Sequence, residues 1–191
     1  MAIQINGNGT ITGISVGGLP DGIVDTDMIA NNAVTNAKAT GIAGGKVLQT
    51  ATGTTSTQIE NTTTTWADTG LSASITPSAT DSKILVMVSQ AFEITASNSS
   101  DAGGSMRLLR DSTVIDSATS GGGNAHKYYT YAQGVNNISF YGTYSLTFLD
   151  PPNTTSSVTY KTQSAMYYGS HRIKTQSSSI PSYITLMEIA A

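Results

Sequence analysis

Cysteine is absent from this 191-residue sequence, and charged residues make up only 11% of it. The absence of cysteine excludes a disulfide scaffold and metal sites built on thiolates. The few lysine and arginine residues are scattered, so the basic face that nucleic-acid binding requires is missing. No stretch approaches the run of about 20 apolar residues that a membrane span needs. The first residues contain no basic and apolar signal segment, so we expect neither membrane insertion nor export by a conventional signal.

The zinc-binding motif of common metallohydrolases is missing as well. His126 and His171 are the only histidines, so a zinc-binding HExxH helix is impossible. A serine triad is defined by geometry and leaves no sequence pattern, and paired carboxylates for glycan cleavage are a further alternative. Most acidic residues lie at predicted turns, where aspartate is expected for backbone reasons. We therefore expect no catalytic residues, no metal site and no cofactor.

Hydroxyl side chains are abundant instead. Serine and threonine together form more than a quarter of the chain, and the formal net charge is only −3. A surface hydrated mainly through hydroxyls and amides tolerates close contact with identical copies. This composition favours a densely assembled protein over an enzyme.

Residues 82–95, SKILVMVSQAFEIT, are the longest run of strand-forming residues. Because side chains alternate along a strand, the first half of this run is apolar on both faces. A strand that is apolar on both faces needs cover on both. A second sheet can supply one cover, and we expect a partner chain to supply the other.

The closing segment, residues 182–189, has the same two-faced character. We expect one face of the two strands to pack inside the subunit, through residues such as Val86, Val88 and Phe92, and the other to face partner subunits, or the reverse. The predicted trimer-interface residues are Leu85, Met87, Tyr183 and Met187.

The first 45 residues differ from the rest. Residues 2–20 alternate isoleucine and valine with glycine, a pattern that suits a backbone packed closely on another surface, although a flexible leader is an alternative. Asp25 and Asp27 can cap the start of a predicted short helix over about residues 26–38, which is marginal alone and needs a neighbour. We expect residues 1–45 to form a docking arm. Its candidate docking residues are Ile3, Ile5, Ile11, Ile14, Val16, Met28 and Ile29.

From residue 46 onward, short strand patterns alternate with turns rich in Ser, Thr, Gly and Asn. Many short strands at this spacing predict an all-β fold, an antiparallel sandwich or barrel occupying residues 46–191. The predicted strands lie near residues 46–49, 54–61, 66–75, 82–95, 105–110, 113–117, 126–133, 138–149, 157–166 and 182–189.

Aromatic residues gather in the second half of the chain, and packing in the core or at interfaces accounts for most of them. Loops on a rigid sandwich frequently carry recognition residues. The segment YYGSHR supplies the receptor-contact candidates Tyr167, Tyr168, His171 and Arg172, and residues 98–104 supply a second candidate loop. Glu93 and Glu188 fall on predicted strands, where we expect lysine, arginine or hydroxyl neighbours at a subunit contact to satisfy them.

Several segments in order resemble the C-terminal β-domain of tail-fibre-like virion proteins of bacteriophages, including phages of marine bacteria and cyanobacteria. They are KVLQ, TTSTQIENTTTTWADTGLSASITPSATDSKILVMVSQ, SMRLLRDSTVI, FLDPPNTTSSVTYKTQ and ITLMEI. The leader TITGISVGGLPDGIVDTDMIANNAVTNAKATG resembles the region that precedes this domain in phage fibres. The resemblance implies a jelly-roll-like head, similar to the trimeric heads of the complement C1q and tumour necrosis factor type.

The resemblance also implies a function. We expect a non-enzymatic virion structural protein on the phage particle surface, a homotrimeric short tail fibre or appendage involved in host attachment. Its N-terminal arm would contact other virion proteins of the tail, adaptor or capsid, and its head would contact a host-surface glycan or protein. The chain has no long shaft between arm and head, so a capsid decoration protein that stabilises the shell is the alternative. A glycan-degrading depolymerase is a third and less favoured possibility.

Overall fold

The computed structural model describes residues 4–5, 11–12, 46–97, 101–115, 126–132, 137–166 and 171–191. The chain divides into two units, Met1–Gly44 and Gly45–Ala191. In the first unit, β1 (Gln4–Ile5) pairs antiparallel with β2 (Ile11–Thr12), and Ile5 lies opposite Ile11. The predicted helix over residues 26–38 lies outside the described residues. So do the docking candidates Ile3, Ile14, Val16, Met28 and Ile29.

The second unit is built of strands and one short 3-10 turn, Ser177–Ser179. Its described strands are β3 (Val47–Thr55), β4 (Ile59–Asn61), β5 (Ala67–Ile75), β6 (Lys83–Ser97), β7 (Asp101–Arg110), β8 (Thr113–Val114), β9 (His126–Tyr131), β10 (Asn137–Asp150), β11 (Val158–Met166), β12 (His171–Thr175) and β13 (Ser182–Ile189). Strand β5 shows why such segments form strands, because its inward Thr69, Leu71, Ala73 and Ile75 alternate with exposed polar residues or glycine.

The first sheet is centred on β6, which at 15 residues is the longest strand. Along one edge β6 pairs antiparallel with β10, from Asn137 opposite Ser97 to Asp150 opposite Ile84. Along the other edge it pairs first with β13 and then with β12. Strands β3 and β4 extend the sheet beyond β13 and β12. The six strands therefore form four lateral positions, with β10 at one side.

The second sheet has the order β5-β11-β7, and both β8 and β9 pair with the remaining edge of β7. The chain crosses between the sheets from β5 to β6, from β6 to β7, from β9 to β10 and again around β11. Such repeated crossing between two antiparallel sheets is the winding of a jelly roll. The prediction of an all-β, antiparallel, jelly-roll-like sandwich is confirmed.

The core lies between the sheets, and the face of β6 that packs inside the subunit is the one that carries Val86, Val88 and Phe92. Val86, Val88 and Phe92 are buried inside the subunit, whereas Leu85 and Met87 lie half-buried on the outer face. Phe92 packs against the Tyr128 ring, with 4.4 Å between the ring centroids. Full burial of each such apolar side chain contributes about 1.5–3 kcal/mol, so the inward face of β6 is a main source of stability.

A closed ring of hydrogen bonds joins the sheets inside this apolar core. The Gln90 amide nitrogen donates to the Thr69 hydroxyl at 2.8 Å, and the Thr162 hydroxyl donates to the Gln90 amide oxygen at 2.7 Å. The two threonine hydroxyls are 2.5 Å apart and complete the ring. Buried polar groups are costly when unpaired, so this ring specifies how β5, β6 and β11 align.

Two sequence predictions about loops are wrong. His171 and Arg172 were assigned to a recognition loop, but they belong to strand β12, residues 171–175. The second candidate loop was residues 98–104, but Asp101 to Gly104 belong to strand β7. In β12 the buried His171, Ile173 and Thr175 alternate with Arg172 and Lys174 on the other face. The period-two pattern is present but short, and the two basic residues conceal it.

Candidate association and recognition surfaces

The outer face of the six-stranded sheet carries an apolar row that crosses three strands. Leu149 on β10 lies opposite Leu85 on β6, which lies opposite Met187 on β13. In the following two rows, Met87 is flanked by threonines and Ser89 by a serine and Tyr183. Leu149 and Tyr183 are 48% and 53% exposed. We call this surface the uncharged face, and its members are Leu85, Met87, Leu149, Tyr183 and Met187.

The four predicted trimer-interface residues therefore share one surface, and Leu149 is an addition that the sequence analysis missed. Its signal was present, because residues 138–149 alternate large apolar side chains with small polar ones and Leu149 breaks that alternation at the end of the run. The position of Leu149 beside Leu85 depends on the pairing of β10 with β6, which the sequence does not state.

The edge strand β10 borders the uncharged face. Among the described strands, only β6 pairs with it. Its 14 residues contain no lysine, arginine or proline, and its register with β6 runs without a bulge. Exposed edge strands usually carry such features because they prevent pairing with other chains. Strand β10 is thus a long edge without the common protection.

Glu188 shows how this sheet holds a buried carboxylate without a cation. Its side chain accepts hydrogen bonds from the Ser78 N–H at 2.7 Å, the Ser78 hydroxyl at 2.6 Å and the Gln49 amide at 2.6 Å. Burial raises the pKa of Glu188, but the hydrogen bonds from Ser78 and Gln49 outweigh burial and lower the pKa to about 2. Glu188 is therefore ionised and satisfied within one chain, by neutral donors rather than at a subunit contact.

Glu93 lies on the outer face of β6, yet it is only 8% exposed. It accepts hydrogen bonds from the Ser177 hydroxyl at 2.6 Å and the Tyr141 hydroxyl at 3.2 Å, and the Lys174 ammonium lies 3.5 Å away. Burial raises the pKa of Glu93, but these donors and the charge of Lys174 outweigh burial and lower the pKa below its ordinary value. The carboxylate thus joins β6, β10, β12 and the 3-10 turn.

One end of the sandwich gathers the segments that the sequence analysis proposed for recognition. The Gly103 N–H donates to Nδ1 of His171 at 3.3 Å, and Nε2 of His171 lies 3.8 Å from the Asp101 carboxylate. The Tyr129 hydroxyl donates to the same carboxylate at 3.3 Å. These contacts connect β7, β9 and β12 directly beside residues 98–100 and 167–170, so both candidate loops start from one place.

The predicted receptor contacts have different outcomes. His171 is wrong as a surface contact, because its side chain is only 3% exposed and faces Gly103 and Asp101. Arg172 is exposed on the outer face, where its Nε donates to the Thr95 hydroxyl at 2.8 Å. Tyr167 and Tyr168 lie outside the described residues. Exposed Tyr129 and Tyr131, opposite Gly103 and Asp101 on the neighbouring strand, were not among the candidates.

The outer face of the five-stranded sheet is polar and carries ion pairs. The Arg107 guanidinium stacks on the Trp66 ring at 4.2 Å from its centroid and donates twice to the Gln163 amide oxygen. The Gln163 amide nitrogen and the Lys161 ammonium both donate to Asp68, at 2.7 Å and 2.8 Å. This face has the character of a solvated surface.

Within the ranges that the structure describes, no group of three His, Asp or Glu side chains could hold a metal ion. In the same ranges no helix is both long and apolar enough to cross a membrane. Neither a scan against protein-family models nor a search of curated proteins finds a match to this sequence.

Proposed function

We propose that this chain is a non-enzymatic virion structural protein, a homotrimeric short tail fibre or appendage whose β-sandwich head is displayed on a phage particle. The uncharged face is the observation that carries this proposal. It places Leu85, Met87, Tyr183 and Met187 together with Leu149 on one side of a rigid sheet. The choice of a trimer rests on the resemblance of the sequence to the phage fibre domain. That resemblance implies a head similar to the trimeric heads of the C1q type.

The energetics of the uncharged face favour association. Burial of apolar surface contributes about 25 cal/mol for each Å² removed from water. Charged groups at an interface subtract from this gain, since each buried ion costs several kcal/mol in lost hydration. On the outer face, strands β10, β6 and β13 carry no charged side chain between Leu85 and Ser89 or at the positions paired with them. Almost none of this hydration cost therefore arises here. The open edge of β10 adds a second surface that a neighbouring copy can cover.

The proposal assigns host contact to the end of the sandwich where residues 98–100 and 167–170 emerge. The His171 and Asp101 contacts hold the bases of both segments to one another. Tyr129, Tyr131 and Arg172 are exposed on the strands β9 and β12 that meet at these contacts. Tyrosine provides rigid contact area with a polar tip, which suits recognition of a glycan or a protein.

The solution mass of the full chain tests self-association. Sedimentation equilibrium at micromolar concentration should give three times the chain mass of 19.8 kDa. A stable monomer under these conditions would refute the trimer.

The role of residues 1–45 as an anchor requires particles. Deletion of these residues should leave a folded head that no longer joins particles, because the second unit, Gly45–Ala191, contains the whole sandwich. Particles that retain the truncated head would contradict the anchoring role. Copy number separates the two virion locations, since a tail appendage predicts a few trimers per particle and a decoration protein predicts occupancy of repeated capsid positions.

A further inference from the structure

A groove of about 340 Å³ lies on the outer face of the six-stranded sheet, past the uncharged face. Ala91 of β6 lines it together with Tyr141 and Thr143 of β10. Ser178 and Ile180, from the turn between β12 and β13, line it on the other side. We call this feature the Ala91 groove. Its volume lies at the lower end of the range of about 300–1,000 Å³ for ligand pockets, which fits a single small ring.

The turn beside the groove has a strained backbone. Gln176, Ser178 and Ser179 have φ values of 53°, 57° and 59°, in the left-handed region that residues other than glycine rarely adopt. Each such residue costs about 1–3 kcal/mol, and strain of this kind persists only where surrounding contacts impose it. Three strained residues within four positions therefore point to a shape that the fold maintains for a purpose other than stability.

Buried contacts impose that shape. The Gln176 N–H donates to the Ala91 carbonyl at 3.0 Å. The side-chain amide of Gln176 is oriented so that both its oxygen and its nitrogen have partners, and its nitrogen donates to the Thr57 and Thr69 carbonyls. The Ser177 hydroxyl binds Glu93 at 2.6 Å. The turn is thus anchored to the sheet by the two residues that precede Ser178.

The groove offers both an aromatic surface and polar groups. Tyr141 is 65% exposed, while its hydroxyl is held by Glu93. Three lining residues, Ser177, Ser178 and Thr143, carry hydroxyls. Glu93 is only 8% exposed and accepts hydrogen bonds from two lining side chains, Tyr141 and Ser177.

This combination selects a ligand class by its chemistry. An apolar ring face can stack on Tyr141, whereas hydroxyl groups can exchange hydrogen bonds with the serine and threonine hydroxyls of the lining. The Glu93 carboxylate would repel a negatively charged ligand. A positively charged ligand is disfavoured as well, because Lys174 already partly compensates the charge of Glu93. A pyranose sugar has apolar C–H faces and neutral hydroxyls. We propose that the Ala91 groove is a binding site for one neutral sugar ring of a glycan.

This proposal concerns a surface different from the uncharged face and does not rest on trimer formation. Saturation-transfer NMR on the full chain tests it, with methyl glycosides of glucose, galactose, mannose and N-acetylglucosamine as probes. At least one glycoside should receive saturation from the protein. Tyr141→Ala should weaken that binding about tenfold or more, and Tyr141→Phe should keep most of it because the ring remains.

Two further variants separate binding from folding. Val47→Ala truncates an exposed apolar side chain on β3 that does not line the groove, and it should leave sugar binding unchanged. Ser178→Gly relieves a left-handed residue, so thermal stability should stay equal or rise while sugar binding weakens severalfold. The proposal is overturned if none of the four glycosides binds, if Tyr141→Ala binds as well as the unmodified protein, or if Val47→Ala abolishes binding instead.

Discussion

The outer faces of the two sheets satisfy their polar groups in different ways. On the five-stranded sheet, Asp68 pairs with Lys161, and Arg107 stacks on Trp66. On the uncharged face of the six-stranded sheet, apolar residues and hydroxyls take the place of ions, and the nearby Glu188 is held by neutral donors. One face is thus suited to water and the other to a neighbouring chain, although both belong to the same small sandwich.

The largest expected effect is on assembly. Leu85→Glu places a carboxylate in the middle of the uncharged face, where burial without a partner costs several kcal/mol in each copy. We expect this variant to be a folded monomer. Ser72→Glu is the matched control, because Ser72 is exposed on the outer face of the other sheet and lies opposite Lys161. Sedimentation equilibrium of both variants makes the measurement, and an unchanged mass for Leu85→Glu would show that the uncharged face is not an interface.

The next effect concerns the buried carboxylate of the six-stranded sheet. Glu188→Gln should destabilise the head by about 1–3 kcal/mol near neutral pH, because the new amide N–H groups face the Ser78 and Gln49 donors. Chemical denaturation gives this difference, and Glu60→Gln is a suitable control since Glu60 is exposed.

Glu188 also predicts acid sensitivity. Its folded pKa of about 2 is below the ordinary value of 4.5, so its contribution to stability is complete above pH 4.5 and disappears as the pH falls toward 2. Stability measured across this interval should fall less steeply in Glu188→Gln than in the unmodified protein. Equal slopes would contradict the assigned hydrogen bonds.

On the five-stranded sheet, removal of the stacked cation should have a smaller effect. Arg107→Ala loses the contact with Trp66 and two hydrogen bonds to Gln163, and we expect a loss of about 1 kcal/mol in the free energy of unfolding. Arg107→Lys should recover only part of it, because an ammonium lacks the planar fork. Full recovery would indicate that charge alone matters at this position.

The smallest effect is expected for the exposed ion pair. A double-mutant cycle on Asp68 and Lys161 should give a coupling of about 0.2–1 kcal/mol, which decreases as salt is added. The corresponding cycle on Gln49 and Glu188 should depend much less on salt, because Glu188 is buried and only one partner is charged. Equal salt dependence of the two cycles would remove the contrast between the sheets.

Much of the fold could be predicted because strand alternation is a local property. Once residues 82–95 form a strand, position alone puts Val86, Val88 and Phe92 on one face and Leu85 and Met87 on the other, whereas which face lies inward was left open. Strand β12 escaped prediction because it is only five residues long and two of them are basic. His171 was misplaced for the same reason, since a strand position directed it into the protein instead of toward solvent.

The sequence by itself determined the alternation of each strand, the scarcity of charge and the absence of cysteine, since these are properties of neighbouring residues or of composition. Only the tertiary structure decided which strands lie side by side. Leu149, Leu85 and Met187 form one row, and Tyr141, Glu93 and Ser177 meet at one groove, because hydrogen-bonded pairing joins segments far apart in the chain. Such pairing reflects the packing of the whole core, which no local pattern contains.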